Sequence, residues 1–299
     1  MQLHASRFRG WPAWTLSHGA LSLHIVPAVG GRLMSIEYAG IELCFINPAL
    51  EGLLAEEDPQ RWRHLCGDWT FPLWGGGKTW VSPESHWPDG CPQRDLDSGA
   101  YQVLRTWQDE VSAGIELQSP VCRQSGLQIR RKIFINGGEA FWKVEHTLIN
   151  TTVHTVHYGI WDVLMLRRPG HVAVEWAADI GEFREISGQG APDDLAEQGL
   201  ITTTTGHASV LCQQARQFKV GIAGTSGLLS VELDLPEGRV RYWRIAPVSP
   251  SLPYAHGHPI EVFNAPDLPY FEIESHSPLA TLPAFASVSF TVTEGVDGA

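Results

Sequence analysis

From Leu21 to Thr293 the chain is written in short runs of alternating apolar and polar residues, each closed by a turn. That pattern leaves sheet as the main way to bury the apolar positions. Leu21-Ser-Leu-His-Ile25 alternates, Pro27-Ala-Val-Gly-Gly31 turns, and Arg32-Leu-Met-Ser-Ile-Glu-Tyr38 returns as a hairpin. Leu127–Ile135 places Leu127, Ile129, Ile133 and Ile135 on one side, with Arg131 on that same side, and Asn136-Gly-Gly-Glu139 reads as a hairpin turn. Ala140–Ile149 then puts Trp142, Val144, His146 and Leu148 on one face. No amphipathic helix longer than about three turns and no fixed-period repeat is legible. Roughly fifteen to twenty strands joined by Gly, Pro, Asp and Ser turns predict an all-β sandwich or barrel, one domain over residues 1–299.

One stretch breaks the rhythm. Residues 49 to about 99 read as an insertion loop, with one short helix in Leu50–Arg63 interrupted at Pro59, and they hold five of the twelve tryptophans. A loop of that length in a compact domain is functional or disordered, and its tryptophan content argues against disorder. Its centre, Phe71-Pro-Leu-Trp-Gly-Gly-Gly-Lys-Thr-Trp-Val-Ser-Pro-Glu-Ser-His-Trp-Pro88, sets Trp74, Trp80 and Trp87 beside Lys78, Glu84 and His86. Aromatic faces next to hydrogen-bonding groups suit a sugar, which offers C–H faces to stack and hydroxyls to satisfy. The competing reading is a glycine-rich turn with structural tryptophans. Gly-Gly-Gly-Lys-Thr lacks the first glycine of a phosphate loop. Segment 62–88 is expected to line a ligand cleft.

Composition removes other classes. The 299 residues carry 21 Lys+Arg against 33 Asp+Glu, a formal charge of −12, which argues against a nucleic-acid partner. Five cysteines without a Cys-x-x-Cys read as reduced thiols. No run approaches the ~18 apolar residues of a membrane span, and the first residues lack a secretory apolar region, so a cytoplasmic protein without a membrane partner is expected.

The titratable candidates are few. Glu272 and Glu274 share parity with Tyr270 and face one cavity or, on the competing reading, solvent. His146, among apolar residues, reads as a core histidine. His64-Leu-Cys66, His86–Cys91, His154–His157 and His256-Gly-His258 are ligand-like pairs, but none has the spacing of a closed zinc site, so no metal and no cofactor are expected. A Gly-x-Ser-x-Gly elbow for Ser-His-Asp hydrolysis is absent. A glycosidase built on Glu272 or Glu274 needs a second carboxylate at a fixed separation.

Four passages together resemble the galactose mutarotase-like superfamily, the aldose 1-epimerase relatives. Pro27–Leu43 is similar to its opening hairpin, and Leu148-Ile-Asn-Thr-Thr-Val-His-Thr-Val-His-Tyr-Gly-Ile-Trp-Asp-Val163 to its central strand pair. Tyr270-Phe-Glu-Ile-Glu-Ser-His-Ser-Pro-Leu-Ala-Thr-Leu-Pro283 resembles its closing region, and Gly75–Glu84 an uncharacterised mutarotase-like branch. The resemblance implies a β-supersandwich of the galactose mutarotase-like type. It also implies a histidine acid for the ring oxygen and a glutamate base for the anomeric hydroxyl.

Carried over, the base falls on Glu274. Matching the Asn-Thr turn puts the acid at His157, whereas matching Trp161-Asp162-Val163 to the family's aromatic-Asn-Leu ending puts Tyr158 there. One residue of register exchanges the sheet faces. Trp161, Glu272, Arg32 and Arg131 complete the candidate substrate-binding groups. The resulting expectation is a carbohydrate-binding, mutarotase-type isomerase. A non-catalytic sugar binder is the alternative, and a lyase or hydrolase ranks below both. Oligomeric state is left open.

Overall fold

The apolar faces of two large antiparallel sheets supply the core, as the alternating pattern requires. A computed structural model describes residues 1–137, 141–177 and 181–298. The first sheet runs, in spatial order, Gln2–Phe8, Trp11–His18, Leu21–Val26, Arg32–Tyr38, Gly77–Ser82, Val156–Arg167, Tyr270–His276, Ile260–Asn264, Phe218–Ala223 and Glu182–Glu185. Ile41–Glu42 and Ala280–Leu282 are short additions to its Arg32–Tyr38 and Val156–Arg167 strands. The second sheet runs Ile201–Thr204, His207–Cys212, Gly170–Trp176, Thr225–Leu235, Gly238–Ile245, Ser287–Gly298, Phe141–Asn150, Leu127–Asn136, Ser112–Gln118 and Gln102–Gln108. Strand makes up 54% and helix 9%, so the all-β expectation holds. No helix among the described residues is long and apolar enough to cross a membrane.

Alternation is strict where one strand face meets the opposite sheet and the other meets water. Leu127–Asn136 alternates buried and half-buried along its whole length. Trp142, Val144, His146 and Leu148 are the buried set on its partner strand, as the pattern required. Ile135 stands opposite Trp142 across that hairpin; Gly138 and Glu139 of the expected turn lie outside the described residues.

Segment 49–99 differs from expectation. It is not an excursion from the sheet, because Gly77–Ser82 is a central strand between Arg32–Tyr38 and Val156–Arg167, with all six residues buried. Both faces of this strand are covered, so the period-2 signal vanished and Lys78, Thr79 and Ser82 disguised it. The preceding glycines let it enter. A Cβ on Gly75 would meet the Phe45 carbonyl oxygen at 2.2 Å, and one on Gly76 the Leu33 carbonyl oxygen at 2.6 Å; both sit at positive φ. The triple glycine is therefore a close-approach device. The expected helix also moves: it spans Pro59–Cys66, capped by Asp58, whose carboxylate accepts from the Gln60 and Arg61 amides. Pro59 starts it rather than interrupting it, since its missing N–H has no partner to lose at the first turn.

Two buried arginines are held by backbone carbonyls. Arg131 crosses between the sheets and donates to the carbonyls of Gly31 and Gly77 at 2.8 and 3.1 Å. Arg32, 1% exposed, pairs with Asp97 at 2.8 Å and also reaches the Gly75 carbonyl. Deeper still, His146 lies 3.3 Å from Asp162 and 2.9 Å from the Thr79 hydroxyl. Asp162 pairs in turn with Arg244 at 2.7 Å, and Arg244 with Glu294. His146 is thus a core histidine held by polar partners, in line with its apolar surroundings in sequence. Cys44, Cys66, Cys122 and Cys212 are buried thiols.

Candidate functional site

The outer face of the first sheet, away from the second, carries the polar groups that its inner face excludes. Pairing sets them in rows. Trp80 stands opposite Trp161, and Trp161 opposite His276. Lys78 stands opposite Val163, Val163 opposite Glu274, Glu274 opposite Glu261, and Glu261 opposite Gly221. Met165, Glu272, Phe263 and Lys219 form the next row. On Tyr270–His276 the odd positions Phe271 and Ile273 face the core, while Tyr270, Glu272, Glu274 and His276 face outward together, as their parity predicted.

These rows floor a cleft of about 670 Å³. Its walls include Phe71, Trp80, Trp87 and Trp161, with Phe263, Tyr270 and Glu84. The Trp80 ring meets both Trp87 and Trp161 edge-on at 5.1 Å, and Trp87 stacks on Trp161 at 5.3 Å. Interlocking aromatics of this kind hold one geometry, which makes a stiff apolar wall.

Packed against the wall lies the charge. Lys219 Nζ sits 2.6 Å from Glu261 Oε2 and 3.0 Å from Glu274 Oε2, over the Trp161 ring at 4.6 Å. The Trp161 indole N–H donates to Glu274 Oε2 at 2.7 Å. Glu272 pairs with Lys78 at 2.9 Å, and that ammonium lies 4.0 Å from the Trp80 ring centre. Glu261 Oε1 faces three imidazoles, at 2.8 Å from His256 Nδ1, 2.6 Å from His258 Nε2 and 3.5 Å from His276 Nε2.

Burial and pairing push these groups apart in proton affinity. Burial drives the Glu274 carboxyl well above the usual range, with Lys219 opposing. Burial would raise Glu261 likewise, but Lys219 and the imidazoles pull it well below. Lys219 is desolvated too, yet its two carboxylates raise it. Burial lowers Lys78 against the pull of Glu272, and lowers His276 to about 4 against Glu261.

The candidates read from sequence divide. Trp80, Glu84, Trp161 and Glu272 line the cleft. Glu274 and Lys78 lie immediately behind it, 0% and 2% exposed. His157 and Glu274 do not share a cleft: the glutamate stands opposite Val163, whereas His157 is six positions away, opposite Thr281. At strand rise that is roughly 20 Å. His157 is exposed and bonded to the Thr281 hydroxyl at 3.0 Å. Tyr158 is equally remote, half-buried edge-on to exposed His86 at 5.1 Å. Neither register brings an acid to Glu274. Trp74 is fully buried, its indole N–H on Ser98 Oγ at 2.9 Å, so it is a core residue. Arg131 belongs between the sheets, whereas Arg32 is buried against Asp97, whose carboxylate also accepts from the indole of the cleft-lining Trp80. Lys219, Glu261 and His276 carry no motif that marks them in the sequence, and the spacing of the His256/His258 pair argued against it. A lone charge inside an apolar run, as in Phe218-Lys-Val and Ile260-Glu-Val, was the available signal.

No family model matches the chain, and no curated protein matches it in sequence. Solved structures do resemble it in shape. A galactose mutarotase-like protein from Clostridium acetobutylicum superposes with a TM-score of 0.60 at 12% identity, covering 100% of this chain and 99% of that one. A galactose mutarotase-like protein from Lactobacillus casei gives 0.60 at 9% identity, over 95% and 100%. A galactose mutarotase related enzyme from Lactobacillus acidophilus gives 0.56 at 8% identity, over 96% and 97%. End to end, two facing antiparallel sheets with these matches give the chain the galactose mutarotase-like fold.

Proposed function

We propose that this protein binds a carbohydrate in the 670 Å³ cleft and moves protons on it, in the manner of an aldose 1-epimerase. The observation that carries the reading is a stiff tryptophan wall and, packed beside it, a row of carboxylate, ammonium and imidazole groups along one cleft. Sugars have C–H faces for the first and hydroxyls for the second. Anomer interconversion needs a group to take the anomeric proton and another to give one to the ring oxygen. Glu272, which lines the cleft, is the carboxylate in contact with the sugar. Glu274 is a positioning residue that holds Trp161 and Lys219 from behind. The names of the structural neighbours agree with this reading.

One observation favours a non-catalytic sugar binder instead: the histidine–glutamate pair implied by resemblance does not assemble at His157 and Glu274. Titrating glucose, galactose and their 6-phosphates while following tryptophan fluorescence tests the shared premise. Saturable quenching or enhancement that is lost in Trp80→Ala is expected. A flat response to every sugar, with the protein folded, removes both readings.

A further inference from the structure

Three imidazoles, His258 and His276 buried and His256 half-buried, converge on one carboxylate oxygen in an arrangement that hydrogen bonding alone does not complete. Glu261 Oε1 has two lone pairs for three ring nitrogens at 2.6, 2.8 and 3.5 Å. The other nitrogens find no substitute. Among the described residues, His256 Nε2, His258 Nδ1 and His276 Nδ1 have no hydrogen-bond partner, and His276 Nε2 has only Glu261 Oε1 at 3.5 Å, although His258 and His276 are 2% and 1% exposed. Leaving buried polar atoms unpaired costs about 1–3 kcal/mol each, so several in one place call for a ligand.

We propose that His256, Glu261 and His276, with His258 beside them, bind one divalent transition-metal ion. Imidazole nitrogens with a carboxylate oxygen are a donor set for zinc, manganese, iron, cobalt or nickel. The donor atoms of His256, Glu261 and His276 all lie within 4.8 Å of one another. Donors sharing an ion at about 2.0–2.1 Å stand about 3.0–3.4 Å apart, so modest shifts complete the site. Spacing along the chain hid this set, because His276 comes from the neighbouring strand.

Two further features fit a metal rather than a chance cluster. Lys219 holds Glu261 Oε2 at 2.6 Å, which turns Oε1 toward the histidines. An outer cation that orients a one-oxygen carboxylate ligand is a familiar supporting element of metal sites. Gly221, at the centre of its strand, leaves the space the His258 ring occupies: a Cβ there would meet His258 Cε1 at 2.3 Å. His256, His258 and Glu261 also line the cleft, so an ion would keep positions open to water or a sugar hydroxyl. The inference stands independently of the carbohydrate reading.

The test is zinc stoichiometry and affinity on the full chain. Chelator-treated protein, dialysed against buffered zinc chloride, should retain one ion per chain by mass spectrometry and bind it calorimetrically with Kd in the micromolar range or tighter. Glu261→Gln keeps the volume of the side chain and should weaken binding by at least ~10-fold. His276→Ala should do the same, and His157→Ala, an exposed imidazole elsewhere, should change nothing. Should a variant fail to fold, cobalt(II) loaded into the parent reports the donor set: visible bands of nitrogen and oxygen ligation without thiolate charge transfer are expected. Absence of stoichiometric binding overturns the proposal. So does a thiolate signature, or zinc affinity unchanged in Glu261→Gln.

Discussion

Glu261 and Glu274 stand directly opposite each other on neighbouring strands, and the Lys219 ammonium lies between their carboxylates, 2.6 Å from one and 3.0 Å from the other. Without the lysine, two buried carboxylates would face one another with no cation between them. Breaking a buried pair by removing one partner typically costs about 3–5 kcal/mol. Lys219→Met should therefore lower stability by roughly that amount in urea unfolding, and adding Glu274→Gln should recover part of the loss. If the double variant is no more stable than Lys219→Met, the two carboxylates are not coupled through this ammonium.

Asp97 is the second hinge of the charge arrangement. Its Oδ1 accepts from Arg32 at 2.8 Å and from the Trp80 indole at 2.7 Å, and its Oδ2 accepts from Ser98 at 2.6 Å. Burial would raise this carboxyl, but Arg32 and Lys78 hold it below its ordinary value. Its contribution to stability is thus complete above the unfolded value near 3.9 and is lost as pH falls through the folded one. Asp97→Asn should cost about 3–5 kcal/mol at neutral pH, and the gap should begin to narrow only as pH falls below about 3.9, where the unfolded carboxyl takes up its proton before the folded one. Thermal unfolding of both proteins between pH 2 and 7 checks this, and a gap that stays constant down to pH 2 contradicts it.

Glu42 carries the opposite sign. Burial raises its carboxyl to about 7, against the hydrogen bonds from Ser35 and the Cys44 amide. A raised acid binds its proton more tightly when folded, so stability falls as pH rises from about 4.5 through 7. Glu42→Gln, which has no charge to bury, should gain on the parent across that window, by about 1–3 kcal/mol at pH 8. Melting temperatures measured at pH 4.5 and pH 8 would show it; a difference independent of pH rules it out.

The two tryptophans flanking the triple glycine should separate cleanly. Trp80 lines the cleft, whereas Trp74 is buried in the core on Ser98. Trp74→Phe should cost about 1–2 kcal/mol of stability and leave any sugar titration unchanged. Trp80→Ala should abolish the titration. Equal effects on sugar binding from the two would mean that the wall is misplaced.

What was legible in the sequence follows from how each strand is covered. Leu127–Asn136 and its partner show water to one face, so alternation named both the strands and their buried sets. Gly77–Ser82 is covered on both faces and carries Lys78 and Thr79 on opposite ones, so it read as loop. The first strand, Gln2–Phe8, is exposed on an edge and left no apolar stripe to read. At the site, Glu272 and Glu274 were found because both lie on one strand, where parity suffices. Lys219, Glu261 and His276 sit on three different strands and meet only through the spatial order of the sheet. Resemblance pointed to His157 because an Asn-Thr turn marks sequence position, whereas the cleft is set by pairing register, which places His157 beside Thr281.

The most direct measurement of the central claim is anomer exchange in solution. Exchange NMR of glucose, galactose and their 6-phosphates at anomeric equilibrium reads interconversion with and without the protein. The parent should accelerate at least one of them above the spontaneous rate. Glu272→Gln, isosteric but unable to take a proton, should lose about 10²–10⁴ of that acceleration, while His157→Asn should keep it. No acceleration of any of these sugars, or loss of activity in His157→Asn with Glu272→Gln still active, would contradict the account.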